Sequence, residues 1–298
     1  MDLTRMSRFW PALVAVLALG WMAFIFDWPV VLAALAEIRP CPLLPVIALL
    51  GLGIYCCCAL RWIAINQLPW RLDVFRDVQA YVAVTIAIGI ATPMQAGEAL
   101  KLKFARDAGL PLGASAVNLA LERLIDLAIL VGFTIGGLVH MFRYPVWLAV
   151  MAALVPFLAG LALPDLGQRW ARAWPRLARW VGAPLTASAL AIVAFASLGK
   201  WIFTLASWLA VLGAVGPMPD VGQAMLLIGA VTTVSILSAV PAGLGVQELS
   251  ARALLTAMDR TPAEAEIGAL ALRLLLPMML AVGFAHVPLL WRRRSPHG

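Results

Sequence analysis

The chain has 298 residues, of which 63% are hydrophobic and only 12% charged. Soluble domains run near half apolar and a quarter charged, so a water-soluble fold is excluded and an all-α, polytopic membrane protein is implied. The net charge of +7 sits in short gaps between apolar runs, a pattern that reports membrane orientation and attracts anionic lipids, and argues against nucleic acid.

In chain order, Arg5 and Arg8 precede an apolar run at 9–26. The run is long for a signal-peptide core and no small-residue cleavage site follows, so it reads as an uncleaved first span. Further spans are expected at 43–65, 118–140, 145–163, 185–213 and 267–290, each near the ~20 residues a bilayer requires. Arg61 lies near the inner end of its span and is expected to snorkel. Cys56, Cys57 and Cys58 are consecutive, so on a helix they point to different faces and cannot converge on a metal. With His140, His286 and His297 scattered and Cys41 remote, neither a metal site nor a cofactor is expected. Trp10, Trp28, Trp147, Trp170, Trp174 and Trp291 fall near span ends, where interfacial anchoring explains them.

Two more apolar runs, 78–92 and 222–240, end in proline–glycine breaks. The linker 164–184, with Arg169, Arg172, Arg176 and Arg179, belongs on the cytoplasmic side, as do both termini. Counting from these anchors puts Arg71 and Arg76 inside, and Lys101, Lys103 and Arg106 as well. A full crossing at 78–92 would carry those last three outside. The consistent answer is a re-entrant hairpin turning at Thr92–Pro93, and a second one at 222–258 dipping in from the opposite side. Arg39, Arg143, Arg252 and Arg260 then face out, and Arg123, Lys200 and Arg273 are intramembrane.

The two breaks resemble each other. Pro93, Gly97 and Glu98 have counterparts in Pro241, Gly243, Gly245 and Glu248. Arg123 follows Glu98 at the same interval at which Arg273 follows Glu248, and the second pair stands 150 positions after the first. A duplicated unit of span, hairpin and span is the better reading than chance. One membrane domain, 1–298, then divides into repeat one (about 43–140), a connector (145–163) and repeat two (about 185–290). The single connecting span inverts the second copy, an architecture of secondary transporters in which paired broken segments mark a midplane site.

The stretches "TPMQAGEALKLKFARDAGLPLGASAVNLALERLIDL" and "VPAGLGVQELSARALLTAM…ALRLLLP" resemble the two signature regions of the flippase-like membrane family that includes the transmembrane flippase region of lysylphosphatidylglycerol synthetase. The resemblance covers nearly the whole chain. It implies a bacterial cytoplasmic (inner) membrane protein that moves anionic or modified lipids between leaflets, such as aminoacylated phosphatidylglycerol or polyprenyl-linked lipids. No counterpart of the synthetase's aminoacyl-transferase domain is seen, so the expectation is lipid handling without that synthesis.

Glu98, Glu122, Arg123, Asp126, Lys200, Glu248 and Arg273 all fall in apolar segments or at their breaks. At ~2.5–3.5 kcal/mol each near mid-bilayer, leaving them unpaired would cost on the order of 20 kcal/mol, so they must be paired, hydrated or neutral. Glu98 and Glu248 are expected to brace the hairpin tips, partnered by Arg123 and Arg273, whose planar forks also suit a phosphate. Whether these pairs bind substrate or only staple helices is open at this stage. Gln95 and Gln247 flank the glutamates, and Lys200 is a further headgroup contact or a partner of Asp126. Asn118, Glu122 and Asp126 share one helix face and could form an ion or proton path or an ordinary buried network. The functional expectation is lipid translocation without ATP hydrolysis in this chain. The alternatives are a lipid-modifying membrane enzyme and a non-transporting partner protein. A second copy of the chain or a lipid-synthesis enzyme is the partner type considered.

Overall fold

The computed structural model describes residues 16–36, 40–174 and 184–292. Among them the chain forms helices and turns, with no strand. The elements are α1 (Val16–Ile25), α2 (Trp28–Ala36), α3 (Pro40–Ile65), α4 (Leu72–Ala91), α5 (Leu100–Asp107), α6 (Leu112–Met141), α7 (Val146–Leu161), α8 (Leu163–Ala173), α9 (Ala187–Val215), α10 (Val221–Leu237), α11 (Val246–Ala257), α12 (Pro262–Ala271), α13 (Leu275–Phe284) and α14 (Val287–Arg292). Short 3₁₀ turns occupy Pro93–Ala99, Pro241–Gly243 and Leu272–Leu274.

Six helical segments are long and apolar enough to cross a bilayer: Pro42–Ile65, Leu72–Ala91, Leu112–Met141, Val146–Trp170, Ala187–Val215 and Pro262–Leu290. Five coincide with expected spans. The sixth, Leu72–Ala91, is the segment expected to be only a hairpin arm, because its helix begins at Leu72 and not near residue 78. The expected first span is described only from Val16, as a short apolar helix that ends before Asp27 and restarts as α2. Its residues 9–15, the arginines at 176, 179, 293 and 294, and Arg39 lie outside the described residues.

Helix pairing follows the small residues. Lipid tails are as apolar as leucine, so close backbone approach decides which faces meet. On the α6–α7 seam, a Cβ at Gly132 would lie 2.2 Å from the Ala153 carbonyl oxygen. On the α6–α10 seam, a Cβ at Gly137 would lie 2.6 Å from the Leu226 amide nitrogen. The α3–α9 pair forms the centre, with Phe203 seated on Gly53 and the Cys57 thiol on Gly199. Gly53 and Phe203 occupy matching positions at the 150-residue offset and touch each other.

Both breaks produce helical hairpins. After Thr92 the chain turns back along α4: Phe104 stacks on Tyr81 at 5.0 Å between ring centroids, and Ala105 is buried with Val78 and Val82. The Thr92 hydroxyl donates to the Gly89 carbonyl (2.9 Å) and accepts from the Gly97 amide (2.8 Å). Gly97 lies so close to Ile88 and Gly89 that no side chain fits there. Met94 and Gln95 turn the corner with φ of 50° and 56°, a left-handed conformation that costs non-glycine residues about 1–3 kcal/mol each. At the second break, Ala242 (φ 53°), Gly243 (φ 61°) and Gly245 (φ 77°) make the corner before α11 packs on α10.

The two tips touch each other, and the hairpins are cross-packed. α4 of the first half lies on α13 of the second, with Ala83 and Ala87 against Gly283, while α10 of the second half lies on α6 of the first. The N-terminal helices favour one side. Ala18 and Leu19 of α1 press on Gly245, and the Asp27 amide donates to Glu266 (2.9 Å). Arg252, expected to face out, is held at Glu266 (Nε–Oε1 3.0 Å) beneath the Phe26 ring. Its partner is an acid on the neighbouring helix α12, which gave no signal at the sequence level.

Gly137→Val is expected to lower the Tm of the detergent-solubilised chain by about 5–10 °C, the shift of roughly 2–3 kcal/mol at this size. Gly167→Ala should leave it unchanged or slightly raised, since a Cβ there meets nothing within 4 Å.

Candidate functional site

Arg61, on the buried face of α3, is 1% exposed. Its Nε donates to Glu122 Oε1 (3.1 Å), and Nη1 and Nη2 donate to Asp126 Oδ1 (2.8 Å) and Oδ2 (3.1 Å). The Trp201 indole also donates to Asp126 Oδ1 (3.1 Å), and Lys200 Nζ lies 2.8 Å from Oδ2. Lys101, 0% exposed, sits between Glu122 (2.9 Å) and Glu98 (3.0 Å). Arg123 completes the chain of contacts: Nη2 is 3.0 Å from Glu98 and 3.3 Å from Asp126, and Nη1 donates to the Gln95 side-chain Oε1 (2.7 Å).

The cluster therefore sets four cations, Arg61, Lys101, Arg123 and Lys200, against three carboxylates, Glu98, Glu122 and Asp126. It carries one positive charge too many. Arg61 and Lys101 are enclosed, whereas Arg123 and Lys200 line a cavity of about 250 Å³. Arg123 is the most open of the four, with a side chain 33% exposed, and its buried Nε has no hydrogen-bond partner. The Ser235 hydroxyl, on the same cavity, is likewise buried and unpartnered.

The second corner is electrically closed. Arg273, placed by the 3₁₀ turn that interrupts the last long segment, donates from Nε and Nη2 to the two oxygens of Glu248. Its Nη1 and Nη2 also donate to the carbonyl oxygens of Ala242 (2.6 Å) and Gly243 (2.9 Å). One arginine thus neutralises the tip's acid and satisfies the strained corner's free carbonyls.

The cavity lies between the tips. Gln95, Glu98, Arg123, Lys200, Gln247, Gly243 and Arg273 line it, together with Trp201 and Trp208 and an apolar wall from α3, α4 and α13. Among the remaining expected residues, Glu248 sits behind Arg273. Pro93, Gly97, Pro241 and Gly245 shape the corners without lining the cavity. Asn118 stands apart from the carboxylates, donating to Asn66 Oδ1 (3.1 Å), while Glu122 and Asp126 are each held by at least two cations.

Two expectations are corrected. Arg61 does not snorkel; its guanidinium turns inward because Glu122 and Asp126 face it from α6. Lys101 does not reach an interface, and α5 buries it between two glutamates. With Lys101 buried, Lys103 and Arg106 are the cations that a full crossing at 78–92 would carry outside. Arg61 and Lys101 thus join Arg123, Lys200 and Arg273 within the apolar body. A readable signal for Lys101 was its i, i+3 spacing from Glu98. Trp201 stood beside a lysine already flagged. Arg61 had no partner visible along the sequence.

The profile of the lysylphosphatidylglycerol synthase transmembrane region matches residues 9–283. The chain belongs to this family. No curated protein and no solved structure matches it. The family is a membrane domain related to lipid handling, so the charged cavity is to be understood inside an integral membrane protein.

Arg61→Met removes one partner of a buried triad and should destabilise the chain by about 3–5 kcal/mol in a detergent unfolding assay. Lys103→Met, at an exposed position of α5, should change little.

Proposed function

We propose that this chain translocates a lipid with an anionic headgroup between leaflets, holding the headgroup at Arg123 and Lys200 between the two hairpin tips. The observation that carries the reading is the surplus positive charge on one side of a mostly apolar cavity. A buried cluster with an excess cation is incomplete without an anion, and a lipid supplies an anion attached to alkyl chains. Gln95, Gln247 and the Ser235 hydroxyl offer hydrogen bonds to the same headgroup. Arg273 contributes field, but its donors are committed to Glu248 and the tip carbonyls, so it acts chiefly as a staple.

In this reading the hairpins are re-entrant and enter from opposite faces, related as an inverted repeat. The matching helix starts at Leu112 and Pro262, the Gly53–Phe203 contact and the cross-packing of α4 and α10 support that relation. The residue at 98 and that at 248 anchor their tips, and the cavity between them alternates its access. The membrane is the bacterial cytoplasmic membrane, with both termini inside. Glu122 and Asp126 serve as counter-ions, with no separate proton path assigned to them.

The test is lipid scrambling in vesicles by the purified chain, with the lipid recovered chemically unchanged; an altered lipid would favour an enzyme instead. Arg123→Gln leaves three cations for three carboxylates, and each carboxylate keeps a partner. The variant should fold with a near-normal Tm yet move anionic lipid at least about tenfold more slowly, equivalent to ~1.4 kcal/mol. Unchanged transport would sink the headgroup assignment. Topology is checked with an impermeant thiol reagent on a cysteine-free background. Lys103→Cys and Thr256→Cys should react from opposite faces, and labelling of both from one face would refute the inverted arrangement.

A further inference from the structure

The two tips differ in what surrounds them. Tip two is covered, with α1 lying directly on Gly245. Tip one touches tip two, but its outer side is open among the described residues: Pro93, Met94, Ala96 and Ala99 are all exposed. Among the described residues that line the cavity, Met94 alone is exposed, at 64%. A side chain that belongs both to the cavity wall and to the outer surface marks the mouth.

The backbone around Met94 is fixed on both sides. Thr92 is tied to Gly89 and Gly97, and Gln95 is tied to Arg123 (2.7 Å). Met94 is left in a left-handed corner (φ 50°) with its flexible thioether free. Behind it the cavity wall is apolar on α4 and α13, with Ile90, Leu276 and Met279.

We propose that Met94 gates lateral access to the cavity, so that an alkyl chain passes the first hairpin tip and not the second. This rests on reading the cavity as a lipid site. The chain of the lipid lies along Ile90, Leu276 and Met279, and its anionic head reaches Arg123. Methionine suits the position because an unbranched, apolar side chain can swing aside for a hydrocarbon without exposing a polar group. The left-handed corner holds it at the mouth independently of α5.

The test uses the full chain in nanodiscs of phosphatidylglycerol carrying a photoreactive diazirine on one acyl chain. Adducts on the interior residues Leu276 and Met279 are mapped by peptide mass spectrometry. The expected result is interior labelling in the unmodified chain, at least a fivefold fall in Met94→Trp, and no fall in Leu244→Trp, which adds the same bulk at an exposed position of tip two outside the cavity. Met94→Ala, which widens the mouth without adding volume, should label at least as fast as the unmodified chain and guards against misfolding of the tryptophan variant. Interior labelling that persists in Met94→Trp, that falls equally in Leu244→Trp, or that is absent from the unmodified chain would overturn the proposal. Labelling that follows Met94 in a chain that moves no lipid between leaflets would keep the gate and discard the transport reading.

Discussion

A bilayer offers no water to an unpaired charge, and the architecture follows from that single restriction. Arg61 reaches from α3 to Glu122 and Asp126 on α6, and Asp126 is shared with Trp201 and Lys200 on α9. Three long helices are thereby fixed in register by one buried carboxylate. Breaking such a set exposes the survivors to desolvation without compensation, which is why the arrangement is specific. Pairing every carboxylate with a cation and still retaining a cation with an unpartnered donor is a different matter from a mere structural staple, and it separates the first corner's chemistry from the second's.

That separation distinguishes two broken corners whose proline, glycine and glutamate residues run in the same order. Both halves carry a glutamate after a broken corner and an arginine on a later helix. In the second half the arginine is consumed by its own glutamate and by two carbonyl oxygens. In the first, the glutamate is shared between Lys101 and Arg123, and the arginine keeps an unpartnered donor. Five positions make the difference: Arg61, Lys101, Glu122, Asp126 and Lys200 have Val211, Ala251, Leu272, Leu276 and Leu50 at the 150-residue offset. Three cations and two carboxylates added to one Glu–Arg pair leave the first site with one cation over.

Much of this was legible along the chain. Composition gave the membrane class, apolar run length gave five of the long segments, and the proline–glycine–glutamate pattern located both corners. The intramembrane pairing of Glu98 with Arg123 and of Glu248 with Arg273 followed from the need to neutralise charge. What escaped was tertiary in origin. Arg61 looked like a boundary residue because a sequence does not reveal that two acids on another helix face it. Leu72–Ala91 looked shorter because Asp73, Arg76 and Asp77 dilute its first two turns. The place of Met94 on the cavity wall was invisible, as a methionine at a corner carries no chemical signature until the cavity behind it is seen.

The cross-packing of α4 on α13 has a consequence for biogenesis. Ala83 and Ala87 find their neighbour, Gly283, only after about two hundred further residues (from 83 to 283) have been synthesised. Until then this face of α4 has no finished seat, although the ion pairs of Glu98 and Lys101 with Arg123 and Glu122 need only the next long helix. The nascent chain therefore closes its ionic core before it closes its outer wall, and truncation before α13 would leave a charged cluster with one side uncovered.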